Sequence, residues 1–191
     1  NSYKMTNILS TIGPTTENTT NLKKILKHTK FVRLNGAHNN IEWHRKICNS
    51  VKKINPDCKI LIDIPGIKPR TLNTKDLLIK KNDKIAFYFG KKISFKGVKN
   101  IQISKPLPKF NNPKTFSVSD GKFSFRFISR GKNFIIGKSL ENFTLLSKKG
   151  LNIPNSVFDN NFQEKIYLNF LNKIKKFKFD AIGLSYVQHF H

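Results

Sequence analysis

Arg33, Asn35 and His38 stand close together where the apolar run Phe31-Val32 gives way to Leu34-Asn35-Gly36-Ala37-His38-Asn39. A guanidinium fork matches the oxygens of a phosphoryl group, and an amide oxygen is a hard ligand for a cation. Thirty residues on, the run Lys59-Ile60-Leu61-Ile62-Asp63-Ile64 ends at Pro65-Gly66 and delivers a carboxylate. Buried strands of an α/β layer present their chemistry at their C-terminal ends. The two runs are therefore read as adjacent strand ends forming one site for an anion and a cation.

The elements that must position these groups follow from periodicity. Ile8 to Ile12, closed by Gly13-Pro14, reads as a strand, and Thr20-Asn21 cap a helix carrying Leu22, Ile25 and Leu26. Ile41, His44, Ile47, Cys48 and Val51 share one face of a second helix, which Pro56 stops. Three strands with two short helical connections predict parallel βαβ units. After Thr71 the pattern changes to short strands at 84–89, 99–103, 114–118, 123–128, 134–137 and 144–146, separated by Asn-Asp, Gly-Lys and Arg-Gly-Lys turns. Phe123, Phe125 and Phe127 alternate with polar neighbours, as in a half-exposed antiparallel strand. A small antiparallel β-barrel inserted between two βα units accounts for this block. Helical spacing returns from Phe162 to Phe177, followed by a fourth parallel strand, Asp180 to Val187.

Composition narrows the class. A hydrophobic content of 38% with 17 Phe in 191 residues argues for a folded chain. No apolar run approaches the roughly 20 residues of a membrane helix, and the first residues lack a signal-peptide core. A soluble, cytoplasmic protein is expected. Cys48 and Cys58 lack metal-ligand spacing and read as free thiols. The net charge of +25 invites a nucleic-acid reading, but its lysines run along the whole chain together with Asn, Ile and Phe. Biased composition explains that distribution better than a selected nucleic-acid surface, and such a field would still attract phosphorylated ligands.

Six ordered motifs resemble the N-terminal part of pyruvate kinase. Ser10-Thr11-Ile12-Gly13-Pro14 resembles the family's C-T-I-G-P, and Val32-Arg33-Leu34-Asn35-Gly36-Ala37-His38 resembles A-R-L-N-F-S-H. Leu61-Ile62-Asp63-Ile64-Pro65-Gly66 with Arg70-Thr71 resembles L-L-D-T-K-G-P-E-I-R-T, and Ser119-Asp120-Gly121-Lys122 resembles D-D-G-K. Lys148-Lys149-Gly150-Leu151-Asn152-Ile153-Pro154 resembles K-K-G-V-N-L-P, and Ala181-Ile182-Gly183-Leu184-Ser185-Tyr186-Val187 resembles I-A-A-S-F-I.

The resemblance implies an α/β fold, a TIM-type (β/α)8 barrel of which the first four βα units are present, with a small β-barrel lid domain inserted. Residues 1–70 and 152–191 would form the partial barrel and 71–151 the insert. Further chain or partner subunits of a homo-oligomer would complete it. The implied activity is the glycolytic phosphoryl transfer between phosphoenolpyruvate and ADP, giving pyruvate and ATP, with Mg2+ and K+ as cofactors. Arg33 and Ser185 match substrate-binding positions. Pro14, His38, Arg70, Asp120 and Lys149 match nucleotide-binding positions, and Asn35, Asp63 and the Ile64 carbonyl match the potassium ligands. Ala37 stands where the family has its Ser ligand, and Pro65 to Lys68 replace the family's hinge residues. The family's catalytic Lys and its acidic Mg2+ ligands match no residue of this sequence.

Plainer roles exist for the same residues. Asp120-Gly121 is ordinary turn chemistry. His38 and Lys149 suit an exposed surface, Ser185 suits a core, and Asp63 could cap a turn. Two alternatives to a working kinase therefore stand: a relative that binds a phosphorylated or enolpyruvate ligand without transferring phosphate, and a basic nucleic-acid-binding protein.

Overall fold

Along Phe31–Asn35 and Lys59–Asp63 buried and half-exposed residues alternate, so each run buries one face and leaves the other open. The computed structural model describes residues 7–185. Contacts divide the chain into two compact units, the first Asn1–Gly66 with Asn161–His191 and the second Ile67–Asn160. The boundaries expected at 70/71 and 151/152 fall inside the second unit. Its backbone ladder explains why: Arg70 bridges Gly150, Thr71 bridges Ile103, and Leu151 pairs with Val118.

Unit 1 contains β1 (Leu9–Ile12), α1 (Thr19–Leu26), β2 (Phe31–Asn35), α2 (Ile41–Ile54) and β3 (Lys59–Asp63). After the second unit the chain returns as α3 (Asn160–Ile174) and β12 (Ala181–Gly183). The strands between are β4 (Leu77–Ile79), β5 (Lys84–Tyr88), β6 (Lys99–Gln102), β7 (Thr115–Val118), β8 (Phe123–Arg130), β9 (Phe134–Ser139), β10 (Phe143–Leu145) and β11 (Leu151–Asn152). β4 and β11 were not among the strands expected from the sequence, being three and two residues long. Beyond Ser185, the last two residues of the expected fourth strand lie outside the described residues, as do His189 and His191.

The unit 1 sheet has the order β1-β2-β3-β12 with every neighbouring pair parallel. Ile12, Val32, Leu34, Ile60 and Ile62 form one face and pack with Leu22, Leu26, Ile47, Val51, Phe170 and Ile174 from the helices. The helix α1 is capped by Asn18, whose side chain accepts from the Asn21 N–H at 2.8 Å, so the expected cap at Thr20-Asn21 falls inside the first turn. Asn40 caps α2 the same way, accepting from Trp43 N–H at 2.8 Å.

One ion network anchors the start of β12. Asp180 accepts from Lys52 Nζ at 2.8 Å, from the Ile60 N–H at 3.0 Å and from Lys59 Nζ at 3.3 Å. Burial pushes its carboxyl up, but those hydrogen bonds and the Lys52 charge outweigh burial and hold it below its ordinary value. A depressed carboxyl contributes stability above the unfolded value of about 3.9 and loses it as pH falls through the folded one. Asp180→Asn should therefore flatten the acid limb of the unit 1 stability curve, read as the urea midpoint of Trp43 fluorescence against pH. Cys48 and Cys58 are both free and buried, and burial pushes the Cys48 thiol up to about 11. Neither should be alkylated by iodoacetamide at neutral pH until the chain unfolds.

In unit 2 six strands take the order β11-β7-β8-β9-β5-β6, and β10 pairs with β4 in a second sheet. The expected all-antiparallel insert is corrected at one pair: β5 and β6 run parallel. The residues between them, 89–98, cross over with Gly90 and Gly97 at positive φ, where a hairpin would have reversed the chain. This unit has its own core, in which Phe87, Phe116 and Phe125 are fully buried.

Candidate phosphoryl and nucleotide site

The parallel register brings the sequence-selected groups of unit 1 to one end of one sheet. Thr11, Arg33 and Leu61 lie at one level, and Asn35, Asp63 and Gly183 one step nearer the C-terminal ends. These positions share the face that the helices do not cover. Arg33 Nε donates to Asp63 Oδ2 at 2.5 Å, a second guanidinium nitrogen forms an ion pair with the same oxygen, and Nη1 donates to Thr11 Oγ1 at 3.3 Å. With side-chain exposures of 31% and 21%, Arg33 and Asp63 are neither sunk in the core nor free in solvent. The fork is aimed by one carboxylate and one hydroxyl and remains accessible. Thr11 was not singled out from sequence; its position opposite Arg33 in the ladder reveals it.

Two glycines make room for this geometry. A Cβ on Gly183 would collide with Asp63 Oδ1, so the bare backbone of β12 is what lets the carboxylate lie against it. A Cβ on Gly36 would meet Asp63 O and come within 2.7 Å of Phe170 Cζ, while the Gly36 N–H donates to Asp63 O at 2.9 Å. His44, buried in α2, sets its ring nitrogens 2.8 Å from Asn40 O and 3.2 Å from Asn35 O, closing the loop that carries Asn35 to His38. Sequence periodicity places His44 on the helix face but does not reveal this tie.

Pro14 follows β1 in a turn closed by Thr16 N–H donating to Gly13 O at 2.9 Å. His38 is exposed after β2, with its N–H donating to Asn35 O at 3.1 Å. Ser185 is half-buried just past β12, its carbonyl accepting from Tyr167 Oη and from Gln163 Nε2 at 3.4 Å. All three therefore follow the C-terminal ends of the same sheet as Arg33.

The expected potassium ligands do not present a ready set. Asn35 Oδ1 accepts from the Ala37 N–H at 3.0 Å, and Asp63 Oδ2 is held by Arg33. Ile64 donates its N–H to Gly183 O at 2.9 Å, and Ala37 has no side-chain oxygen. Among the described residues, no group of three or more His, Cys, Asp or Glu is placed to hold a metal ion.

Unit 2 gathers the remaining sequence-selected residues. Arg70 Nη1 donates to Lys148 O at 3.1 Å, and the Lys149 N–H donates to Thr71 Oγ1 at 3.1 Å. Asp120, at the positive-φ turn Ser119-Asp120-Gly121, accepts from Lys68 Nζ at 3.1 Å. The Lys68 hydrogen bond and charge, and then the charges of Arg70 and Lys149, hold its carboxyl below the ordinary value. Lys68 was not selected from sequence as a site residue.

The profile of the pyruvate kinase barrel domain matches residues 3–189. The chain belongs to the pyruvate kinase family. It is 27% identical to the pyruvate kinase of Thermococcus litoralis over 195 residues, covering 95% of this chain and 40% of that protein. It is 29% identical to the pyruvate kinase of Buchnera aphidicola over 163 residues, covering 80% of this chain and 34% of that one. The crystal structure of Cryptosporidium parvum pyruvate kinase superposes with a TM-score of 0.76 at 25% identity, covering 96% of this chain and 40% of that chain. The fold is accordingly α/β and of TIM type, and the chain spans about two-fifths or less of the length of these pyruvate kinases. Among the described residues, no helix is long and apolar enough to cross a membrane. Against the family motif, the Phe before the Ser position has become Gly36, and the Phe170 ring lies against the space that Gly36 leaves.

Proposed function

We propose that this chain supplies the phosphoenolpyruvate- and nucleotide-binding portion of a pyruvate kinase-like phosphotransferase. The observation that carries the reading is the Arg33 fork, aimed by Asp63 and Thr11 at the C-terminal end of a parallel sheet and half-accessible. Its role would be to hold the phosphoryl group of phosphoenolpyruvate by charge-assisted hydrogen bonds. Within unit 1, Ser185 would lie on the substrate side and Pro14 and His38 on the nucleotide side; unit 2, taken by itself, offers Arg70, Asp120 and Lys149 as matches to nucleotide-binding positions.

In the reaction the bond between the enol oxygen and phosphorus breaks, a terminal oxygen of ADP bonds to phosphorus, and the released enolate takes one proton at carbon to give pyruvate. Such transfer rests on positioning and neutralised charge. Arg33 positions the group and offsets part of its charge. Mg2+, where bound, would neutralise phosphoryl oxygens, but the described residues form no ligand cluster for it and no step is assigned to it. The potassium role of Asn35, Asp63 and the Ile64 carbonyl is weakened, because Ala37 supplies no side-chain oxygen and Asp63 Oδ2 already pairs with the Arg33 guanidinium. Additional strands, from further chain or a second subunit, would cover the open sheet face, where Leu9 is 50% exposed, and the β12 edge, where Ile182 on the helix side is 38% exposed.

Pyruvate release from phosphoenolpyruvate, ADP and Mg2+ tests this reading. Turnover that Arg33→Ala abolishes is expected once further chain or a second subunit supplies the catalytic Lys and acidic Mg2+ ligands that match no residue here, and only slow turnover from this chain alone. A rate that needs K+ would show that Asn35, Asp63 and the Ile64 carbonyl hold the ion despite Ala37, and a rate indifferent to K+ would show that they do not. Saturable phosphoenolpyruvate binding without pyruvate would instead favour a ligand-binding relative, a reading to which the lost Ser at Ala37 lends support.

A further inference from the structure

In unit 2 the turn between β8 and β9 is closed by the Gly131 N–H, which donates to Phe134 O at 2.9 Å. The Phe134 ring fills the space that a Cβ on Gly131 would need, so the turn carrying Lys132 packs on its own aromatic. A second segment is fixed as firmly. Lys109 and Val157 exchange two backbone hydrogen bonds, of 2.9 and 2.8 Å, and Phe110 is buried in the unit 2 core. These two segments border a cavity of about 430 Å³, lined by Leu107, Pro108, Lys109, Phe110, Arg130 and Lys132. That volume lies within the range of small-molecule sites. Among the described residues, three cations and no carboxylate line it.

Arg130 ties the two segments together. Its Nη1 donates to Phe110 O at 2.5 Å, and its guanidinium carbon sits 4.7 Å from the centre of the Phe110 ring. A fork held by one carbonyl and one ring is oriented before a ligand arrives, and its other nitrogens still carry donors. Arginine is scarce in this lysine-rich chain, five of 36 basic residues, so a planar fork here is not the default of its composition. None of the residues matched to substrate or nucleotide positions lines this cavity. Arg130 ends the eight-residue strand that begins beyond Asp120, roughly 20 Å away along the strand. Like charges gathered around one hollow are an arrangement that an anion relieves.

We propose that this cavity is a further binding site, for a small organic phosphate. Arg130 takes the phosphoryl oxygens, Lys109 and Lys132 neutralise their charge, and Leu107 and Pro108 cover the organic part. Cations lining one hollow suit a compact dianion, whereas a nucleic acid calls for a basic stripe along a surface. The site stands independently of the function proposed above.

Phenyl phosphate titrated into the whole chain at moderate salt, where the general basic field is screened, tests the assignment. Affinity is read from the amide resonances of Lys109, Phe110 and Lys132, so binding at Arg33 does not register. The variants are Arg130→Lys, Lys132→Met and Lys91→Met, the last removing an exposed lysine of the same unit. Matching thermal melts show that each folds, and Lys132→Met, in an exposed turn, decides the matter if Arg130→Lys does not. Saturable shifts are expected. Arg130→Lys, which keeps the charge but not the fork, and Lys132→Met should each weaken binding about tenfold, and Lys91→Met less than about threefold. Inorganic phosphate should bind about tenfold more weakly than phenyl phosphate, because it leaves Leu107 and Pro108 uncovered. No saturable shift at these amides, or a Lys132→Met affinity no weaker than that of Lys91→Met, overturns the proposal. Inorganic phosphate binding as tightly as phenyl phosphate overturns the organic part of the assignment.

Discussion

Phe125→Ala should lower the stability of unit 2 by about 3–5 kcal/mol. The Phe125 side chain is fully buried, with ring centroids 5.2 Å from Phe116 in a stacked pair, 5.4 Å from Phe87 and 5.9 Å from Phe143 edge-on. Aromatic pairs of this kind add to simple area burial. The cluster is also tightly closed: a Cβ on Gly137 would lie 2.5 Å from the Phe116 ring and 2.8 Å from Phe125 Cβ. A neighbouring ring would have to swing a long way to fill the cavity, so little of the loss should be recovered. Amide exchange of β5, β8 and β9 should speed up, while Trp43 fluorescence, which reports unit 1, should keep its midpoint. A loss below about 1 kcal/mol would mean the core relaxes around the gap.

Gly183→Ala should act in the other unit and through the site itself. The added methyl would occupy the position of Asp63 Oδ1, and the backbone around Gly183 is held by the Ile64 N–H donating to its carbonyl at 2.9 Å. The carboxylate has to rotate away, which breaks its bond to Arg33 Nε. Overpacking of this kind costs about 1–3 kcal/mol, and a half-buried guanidinium without its carboxylate adds to that. The Trp43 fluorescence midpoint should fall in urea, and the Arg33 Nε–H resonance should move. An unmoved resonance would show that Asp63 does not aim the fork.

Much of unit 1 was legible because its strands are buried on one face and its helices keep strict apolar spacing. His44, Ile47, Cys48 and Val51 are all buried in α2 as the period requires. Arg33 and Asp63 could be assigned to one site in advance because parallel βαβ units place successive strand ends side by side, whereas their ion pair with each other was not foreseen. The helix start at Asn18 was less legible, since Thr20 and Asn21 are also good capping residues and local sequence does not decide among them. In unit 2 the parallel β5 and β6 pair defeated turn chemistry, which registers where a chain bends but not which strand it joins. Thr11 escaped for a related reason. It gains its meaning from a neighbour distant in sequence, Arg33. The engagement of Asn35 Oδ1 by the Ala37 N–H was hidden as well, because a hydrogen bond within a tight loop depends on its dihedral angles.

Phosphoenolpyruvate titrated calorimetrically into the unaltered chain and into Arg33→Met tests most directly whether the Arg33 end of the unit 1 sheet is a phosphoryl site. Saturable binding that weakens about tenfold or more in the variant is the predicted result, since a fork making charge-assisted hydrogen bonds is removed while the fold is kept. Equal affinity in the two proteins, or no saturable binding in either, would contradict it.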